Sequence, residues 1–519
     1  MMTINSLIKL MSKTEIMLLL AVAAFSIALV IPITASGQTE VSGDIVNDVW
    51  TREGSPYLVT GNIRVIETLR IHLDVEVRFQ GYYGIEVTQD ALLTAEGGNV
   101  VEDRITFSSE LYIWAGINFN HASNNCRISN CDISGAATAL NCIQTDVHIT
   151  GNRIDAHSVA INCNRASPII NYNYYIRVIG VGNAGSGFQA ISIHDQSSPQ
   201  IKGNYWIECS AFGSNTATAI YIRESSPRIE ENWIEVVSER ESKGIDAYFG
   251  DSVDILRNII RARSAPIVRC LEFDGSTNIR VINNDIIIYG SPINNAIGLR
   301  VTNESSVNVI NNIFYGNYAS TGVWASAFNI DDSSGYNLYY NHDSAYRGIL
   351  PLRGDIIDEN PLFANDHYDT SETDYHVTWV DIMDNDTRSP CIDTGFPDES
   401  WNDRDDTRSD IGRFIYDGER PNLINESEEI TPHQFDIYSV YPNPFNNRNN
   451  IIFNLPSPGN ITVTLYDVYG HLIKTLMTGK SNSGMQYLNW SAQGLASGNY
   501  FITIKTDGMT QSKRVLYIP

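Results

Sequence analysis

Positive charge is scarce in this chain. Against 60 Asp and Glu there are 35 Lys and Arg, a formal net charge of −25. So acidic a surface argues against a nucleic-acid backbone as partner, while it favours solubility and attracts cations. Long apolar runs are equally scarce. The one at Ile16–Ile31 follows Lys9 and Lys13 and precedes Ala35-Ser36-Gly37. A basic start, a short apolar core and a small-residue site read as a secretory signal peptide over residues 1–37, cleaved before Gln38. No other stretch has membrane length, so no span is expected once the signal is removed. There are only 7 Cys, at no zinc-like spacing. The odd number leaves at least one thiol unpaired in a monomer, the expected state. No helical period of matching strength intervenes between its strand-like segments.

What the chain does have is a repeat. An aliphatic residue is followed three places later by Asn and, two places after that, by another apolar residue: Ile149/Asn152/Ile154, Ile170/Asn173/Tyr175, Ile201/Asn204/Trp206, Ile229/Asn232/Ile234, Ile255/Asn258/Ile260, Val281/Asn284/Ile286 and Val309/Asn312/Phe314. Leu338/Asn341 forms a weaker eighth copy. The Asn residues recur every 21 to 31 positions, a period that indicates a solenoid or array. A second segment repeats in step, as in Ala160-Ile-Asn-Cys-Asn, Ala190-Ile-Ser-Ile-His, Ala219-Ile-Tyr-Ile-Arg, Gly244-Ile-Asp-Ala-Tyr, Cys270-Leu-Glu-Phe-Asp, Ala296-Ile-Gly-Leu-Arg and Ala327-Phe-Asn-Ile-Asp. Period-two alternation makes these half-buried strands, with the second and fourth residues inward, for example Ile220/Ile222, Leu271/Phe273 and Phe328/Ile330. Turn signals such as Ser225-Ser-Pro227 follow. Short strands, tight turns and one coil per repeat give a parallel β-helix. In it the Asn amide hydrogen-bonds its equivalent one coil away and satisfies the turn backbone. Cys142 and Cys163 fall on adjacent coils, as a buried stack or a disulfide.

These features resemble the right-handed parallel β-helix superfamily, the pectin-lyase-like fold, over about residues 57–345. Trp114-Ala-Gly-Ile-Asn-Phe119 resembles a strand common in its secreted members, and Leu73-Asp74 stands where those proteins usually carry Pro-Gly. Asp358-Glu-Asn-Pro-Leu-Phe363, Ser389-Pro-Cys-Ile-Asp-Thr-Gly395 and Asp406-Thr-Arg-Ser-Asp-Ile-Gly412 resemble the closing segment of such proteins. The C-terminal part differs in character: Tyr441-Pro-Asn-Pro-Phe-Asn446, Tyr466-Asp-Val-Tyr-Gly470, Leu495-Ala-Ser-Gly-Asn-Tyr-Phe501 and Lys513-Arg-Val-Leu are similar to the type A C-terminal sorting domain of type IX secretion, an immunoglobulin-like module. The resemblance implies export across the outer membrane, to the medium or the cell surface, with the type IX machinery as partner. The expected chain is thus all-β, a right-handed parallel β-helix followed by a small immunoglobulin-like β-sandwich. Its parts are a signal peptide (1–37), the β-helix with its opening coils (38–345), a C-terminal cap (346–418), a linker (419–435) and the sorting domain (436–519).

Chemistry is expected on the outward positions of the repeated strand, which stack into rows about 4.8 Å apart. The third position gives Asn162, Ser192, Tyr221, Asp246, Glu272, Gly298 and Asn329; the fifth gives Asn164, His194, Arg223, Tyr248, Asp274, Arg300 and Asp331. In an enzyme, Asp246 and Glu272 with Asp274 would be the catalytic carboxylates of a glycoside hydrolase or polysaccharide lyase. Arg223 and Arg300 would hold acidic sugars, and Tyr221 and Tyr248 would offer flat faces to sugar rings. The same row also reads as a solvated face with ion pairs between coils, the favoured alternative. Lyase and polygalacturonase signatures are absent. His194-Asp195 has no Ser or Cys nucleophile beside it in the sequence reading, so a triad is unsupported. Asn402-Asp-Arg-Asp-Asp406 with Asp410 is rich enough in oxygen for calcium but lacks the Gly and Glu of an EF-hand loop. No cofactor is expected, with calcium the one candidate ion. The leading function is binding extracellular or cell-surface glycan, or surface adhesion. A lyase or hydrolase acting on acidic glycans is the second reading, and a structural surface protein without a ligand the third.

Overall fold

A computed structural model describes residues 38–416 except 99–102, 110–112, 182–186, 214, 264, 290–294, 317–318, 367–372, 380–386 and 404. It also describes 436–517 except 442–447, 456–458, 469, 482–483, 493 and 507–508. The signal-peptide and linker segments read from the sequence lie outside these residues. The chain divides into two compact units between residues 420 and 421.

The first unit is a solenoid of 32 strands in one continuous parallel system. Each coil contributes a strand to three columns. Column I includes His148–Thr150, Ile169–Asn171, Gln200–Lys202, Arg228–Glu230, Asp254–Leu256, Ile279–Ile282 and Val307–Ile310. Column II includes Tyr175–Val181, Ile207–Phe212, Trp233–Ser238, Ile259–Arg263, Asp285–Tyr289, Ile313–Tyr315 and Leu338–Tyr340. Column III includes Gly187–His194, Thr216–Arg223, Glu241–Tyr248, Ile267–Asp274, Ala296–Thr302, Ser320–Trp324 and Ser344–Arg347. Among the described residues there is no α-helix, and none long and apolar enough to cross a membrane.

The columns form because like side chains stack. Ile149, Ile170, Ile201, Ile229, Ile255, Val281 and Val309 pair in register along column I, and all are 0% exposed. Burying such a side chain contributes about 1.5–3 kcal/mol. The corners follow from the Asn ladder. Nδ2 of Asn152 donates to Oδ1 of Asn173, and the same bond, 2.8–3.0 Å long, runs through Asn204, Asn232, Asn258, Asn284 and Asn312 to Asn337. Each amide also donates to a column I carbonyl of the preceding coil, and its oxygen accepts a backbone N–H. The residue before each ladder Asn is left-handed, as at Tyr172 (φ 54°), Glu231 (φ 59°) and Arg257 (φ 51°). A second ladder of Ser197, Ser225, Ser276 and Ser305 lines the corner from column III to column I. Asp74 takes a left-handed turn (φ 60°) ahead of the strand that begins at Glu76. Gly116 is required: at φ 98° a Cβ would lie 1.7 Å from the Thr138 carbonyl oxygen. All seven Cys are free and buried. Cys142 and Cys163 pair in register as a thiol stack, with no disulfide.

Two sequence expectations are corrected. The eighth ladder member is Asn337 rather than Asn341, and the row ends on Asp355 Oδ1, 3.2 Å from Asn337 Nδ2. Ala327–Asn329 is a 3-10 turn with Phe328 98% exposed; Ser320–Trp324 supplies that column III strand. Both segments alternate, so the pattern alone could not separate them.

The closing segment does more than end the solenoid. Val377, Cys391, Ile392 and Ile411 pack with Ile313 and Leu338, and Tyr375 packs on Ile259 and Ile287. Asn283 Nδ2 donates to the carbonyls of Asp410 and Gly412, and Arg413 reaches the carbonyls of Glu231 and Asn232. Residues 409–413 therefore run back along the corner between columns I and II.

The second unit is an antiparallel two-sheet sandwich. Asp436–Tyr441, Arg448–Leu455 and Gly484–Ser491 form one sheet. Leu472–Ser481, Gly459–Asp467, Gly498–Thr506 and Met509–Tyr517 form the other. Ile451, Phe453, Val463, Leu465, Ile502 and Ile504 make its core. Tyr500, near the start of the sixth strand, donates from its hydroxyl to the Ala496 carbonyl at 2.8 Å. That is the tyrosine corner of immunoglobulin-like sandwiches. Of the Tyr441–Asn446 motif, only Tyr441 is among the described residues.

Candidate functional site

The outer face of column III presents the expected residues on successive coils. Strand pairing aligns Tyr221 with Asp246 and Asp246 with Glu272. The same row continues to Arg300, Trp324 and Arg347. Arg300 thus stands directly beside Glu272, in the third-position row rather than the fifth. The pairing sets this strand two residues away from the register expected from the sequence, a shift that preserves alternation. Arg223, Tyr248 and Asp274 form the neighbouring row, continued by Thr302.

Asp246 and Glu272 are more covered than an outward position implies, at 4% and 5% exposure. Lys243, which sequence reasoning passed over, bridges them: its Nζ lies 2.9 Å from Asp246 Oδ2 and 2.7 Å from Glu272 Oε2. It sits near the start of the same strand as Asp246, three residues earlier. Arg300 adds an ion pair to Glu272. Burial above all pushes the Asp246 carboxyl up to about 6, despite Lys243. Burial pushes Glu272 the same way, but Lys243 and Arg300 outweigh it and hold the carboxyl below its ordinary range. Lys243 loses ground to burial and regains more from the two carboxylates, so it stays an ammonium. Two neighbouring carboxyls driven apart in this way can divide acid and base roles.

Aromatic faces flank the carboxylates. Tyr221 and Tyr248 lie 6.1 Å apart, and His194 lies 5.7 Å from Tyr221. Trp324, also absent from the sequence candidates, sits between two guanidinium groups, Arg300 at 5.2 Å and Arg347 at 4.2 Å. Arg223 is exposed and touches Glu224 at 3.3 Å. Asp274 accepts a hydrogen bond from Asn303.

A serine does lie beside His194: Ser192 Oγ is 2.7 Å from its Nε2. Ser192 is 1% exposed, however, and Asp195 bonds Asn164 instead of the imidazole. The pair braces the strand. In the acidic turn, Asp403 accepts the Asp410 N–H at 2.8 Å, Asp410 accepts from Asp393 and Tyr416, and Asp405 accepts from Thr407. Those oxygens are spent on the backbone. Among the described residues no group of three His, Cys, Asp or Glu side chains is placed to hold a metal.

Residues 439–518 match the family described as the secretion system C-terminal sorting domain. No curated protein and no solved structure matches the chain closely enough to count as a relative. The chain therefore carries a type IX sorting domain and is exported to the medium or the cell surface.

Proposed function

We propose that this exported solenoid binds extracellular or cell-surface polysaccharide along the outer face of column III. The observation that carries the reading is a pair of neighbouring rows of flat and cationic groups, Tyr221, Arg300 and Trp324 in one and Arg223 and Tyr248 in the other, presented by successive coils of a rigid scaffold. Aromatic faces accept sugar rings at little entropic cost, and guanidinium forks grip uronate carboxylates. The carboxylates Asp246 and Glu272, both held by Lys243, then tune the face rather than react.

The second reading is a hydrolase or lyase acting on acidic glycans, and it rests on the divergent proton affinities of Asp246 and Glu272. A glycan array followed by reducing-end and unsaturated-product assays on the hits separates the two. Binding without product is expected, with Tyr248→Ala weakening it roughly fivefold. Asp246→Asn with Glu272→Gln should alter affinity modestly. Turnover abolished by that double change would establish the enzyme. Absence of any hit would favour a structural surface protein.

A further inference from the structure

Away from column III, a cavity of about 410 Å³ opens between column I and the closing segment. Four Arg line it: Arg228 and Arg280 from column I, Arg257 from the corner that follows column I in the coil between them, and Arg413 from the closing segment. In a chain carrying −25 such a cluster is unexpected. Among the described lining residues Asp403 is the one acidic side chain. Leu256 and Ile282 give the wall an apolar patch, and Trp401 adds a ring.

The guanidinium groups are held from behind. Arg280 binds Asp254 through two bonds of 2.6 and 2.7 Å, and Arg228 reaches Glu230 at 3.0 Å and Asp254 at 3.2 Å. Arg257 is engaged through Nη2 on Glu230 and Glu231, and among the described residues its Nε and Nη1 make no ion pair. Arg413 is tied by its Nη atoms to the carbonyls of Asn232 and Glu231. Burial, foremost, weakens its hold on the proton, so an arriving anion would relieve an electrostatic cost. Fixed forks around an aromatic and apolar patch suit a ring bearing an oxyanion.

We propose that this cavity is a second binding site, for an acidic saccharide residue carrying a carboxylate or a sulfate ester. It takes the ligand class from the polysaccharide reading but stands on a different face, so the two sites can fail separately.

The test is calorimetric titration of the full secreted chain with three probes: an oligogalacturonate, its methyl-esterified counterpart and a sulfated galactan oligosaccharide free of uronate. At least one anionic probe should bind, the ester should not, and affinity should fall as salt rises. Preference between the two anions assigns the source as uronate or sulfate. Arg257→Ala should weaken binding at least tenfold, with Arg257→Lys restoring only part, because the fork matters besides the charge. Since Arg257 also braces Glu230 and Glu231, Trp401→Ala on the closing segment provides an independent variant with the same expected direction. Thermal melts report the fold of each. Equal binding of ester and acid, or no binding of either anion, overturns the site. So does binding lost in Tyr248→Ala but kept in both Arg257→Ala and Trp401→Ala, which would support column III alone.

Discussion

At the scale of single residues, the ladder Asn and one buried Asp decide most. Asn258 donates through Nδ2 to the Ile229 and Leu256 carbonyls and to Asn284 Oδ1. An Asp there accepts where it must donate, and it buries a charge. Asn258→Asp should lower stability by about 3 kcal/mol or more in urea unfolding. Asp355, at the end of the row, is asked by Asn337 only to accept. Asp355→Asn should therefore change stability by less than about 1 kcal/mol, and equal effects at the two positions would sink this account of the ladder. Asp285 is 1% exposed; its Oδ1 accepts the Arg413 N–H at 3.0 Å, and Oδ2 has no hydrogen-bond partner among the described residues. Burial raises its pKa to about 7 from an ordinary 3.8. The folded state then binds the proton more tightly than the unfolded one, so stability is fullest at low pH and is lost as pH rises from about 4 to about 7. Asp403, raised to about 7, and Asp410 and Asp246, each raised to about 6, act in the same direction. The melting temperature should fall between pH 5 and pH 8. Asp285→Asn should flatten that slope, removing on the order of 3 kcal/mol of pH dependence. An unchanged slope would mean that Asp285 is not the group responsible.

At the scale of elements, the columns are held by what they enclose. Phe273 stacks between Ala247 and Val301 in adjacent coils and is 0% exposed. Phe273→Ala should cost about 3–5 kcal/mol, and Phe273→Asp should prevent folding, both read by thermal melts beside an Arg223→Ala control that stays within about 0.5 kcal/mol. These inward positions were legible in the sequence because an apolar residue every second place has one physical meaning in a strand. The ladder was legible too, since an amide recurring at each turn needs a partner at each turn. The register of Arg300 was not, because a slip of two residues leaves alternation intact. The small-residue slot shared by Gly244, Cys270 and Gly298 was the signal that would have fixed it. A Cβ on Gly244 would come within 2.4 Å of the Cys270 carbonyl, and one on Gly298 within 2.7 Å of the Gly322 carbonyl. Lys243 escaped notice because it precedes the repeated segment, and the Arg cavity because its walls lie more than a hundred residues apart in the chain.

At the scale of the whole molecule, address and solenoid fold are separate properties. Each coil pairs with the coils before and after it, and the sorting domain has its own core. Deleting residues 436–519 should leave the solenoid folded, by circular dichroism and protease resistance, while the protein collects in the periplasm. Normal surface delivery of the truncated chain would contradict the role of the matched domain. The Asn ladder has a further consequence, for ancestry. Asn232 and Asn258, 26 residues apart, make the same bonds backward and forward, so either could follow the other's predecessor. A gene copying error that inserted or removed one whole coil would find both new junctions already compatible. Such a lineage can change how many coils it displays in a single event, and so the span of surface it offers, while the export tag stays as it is.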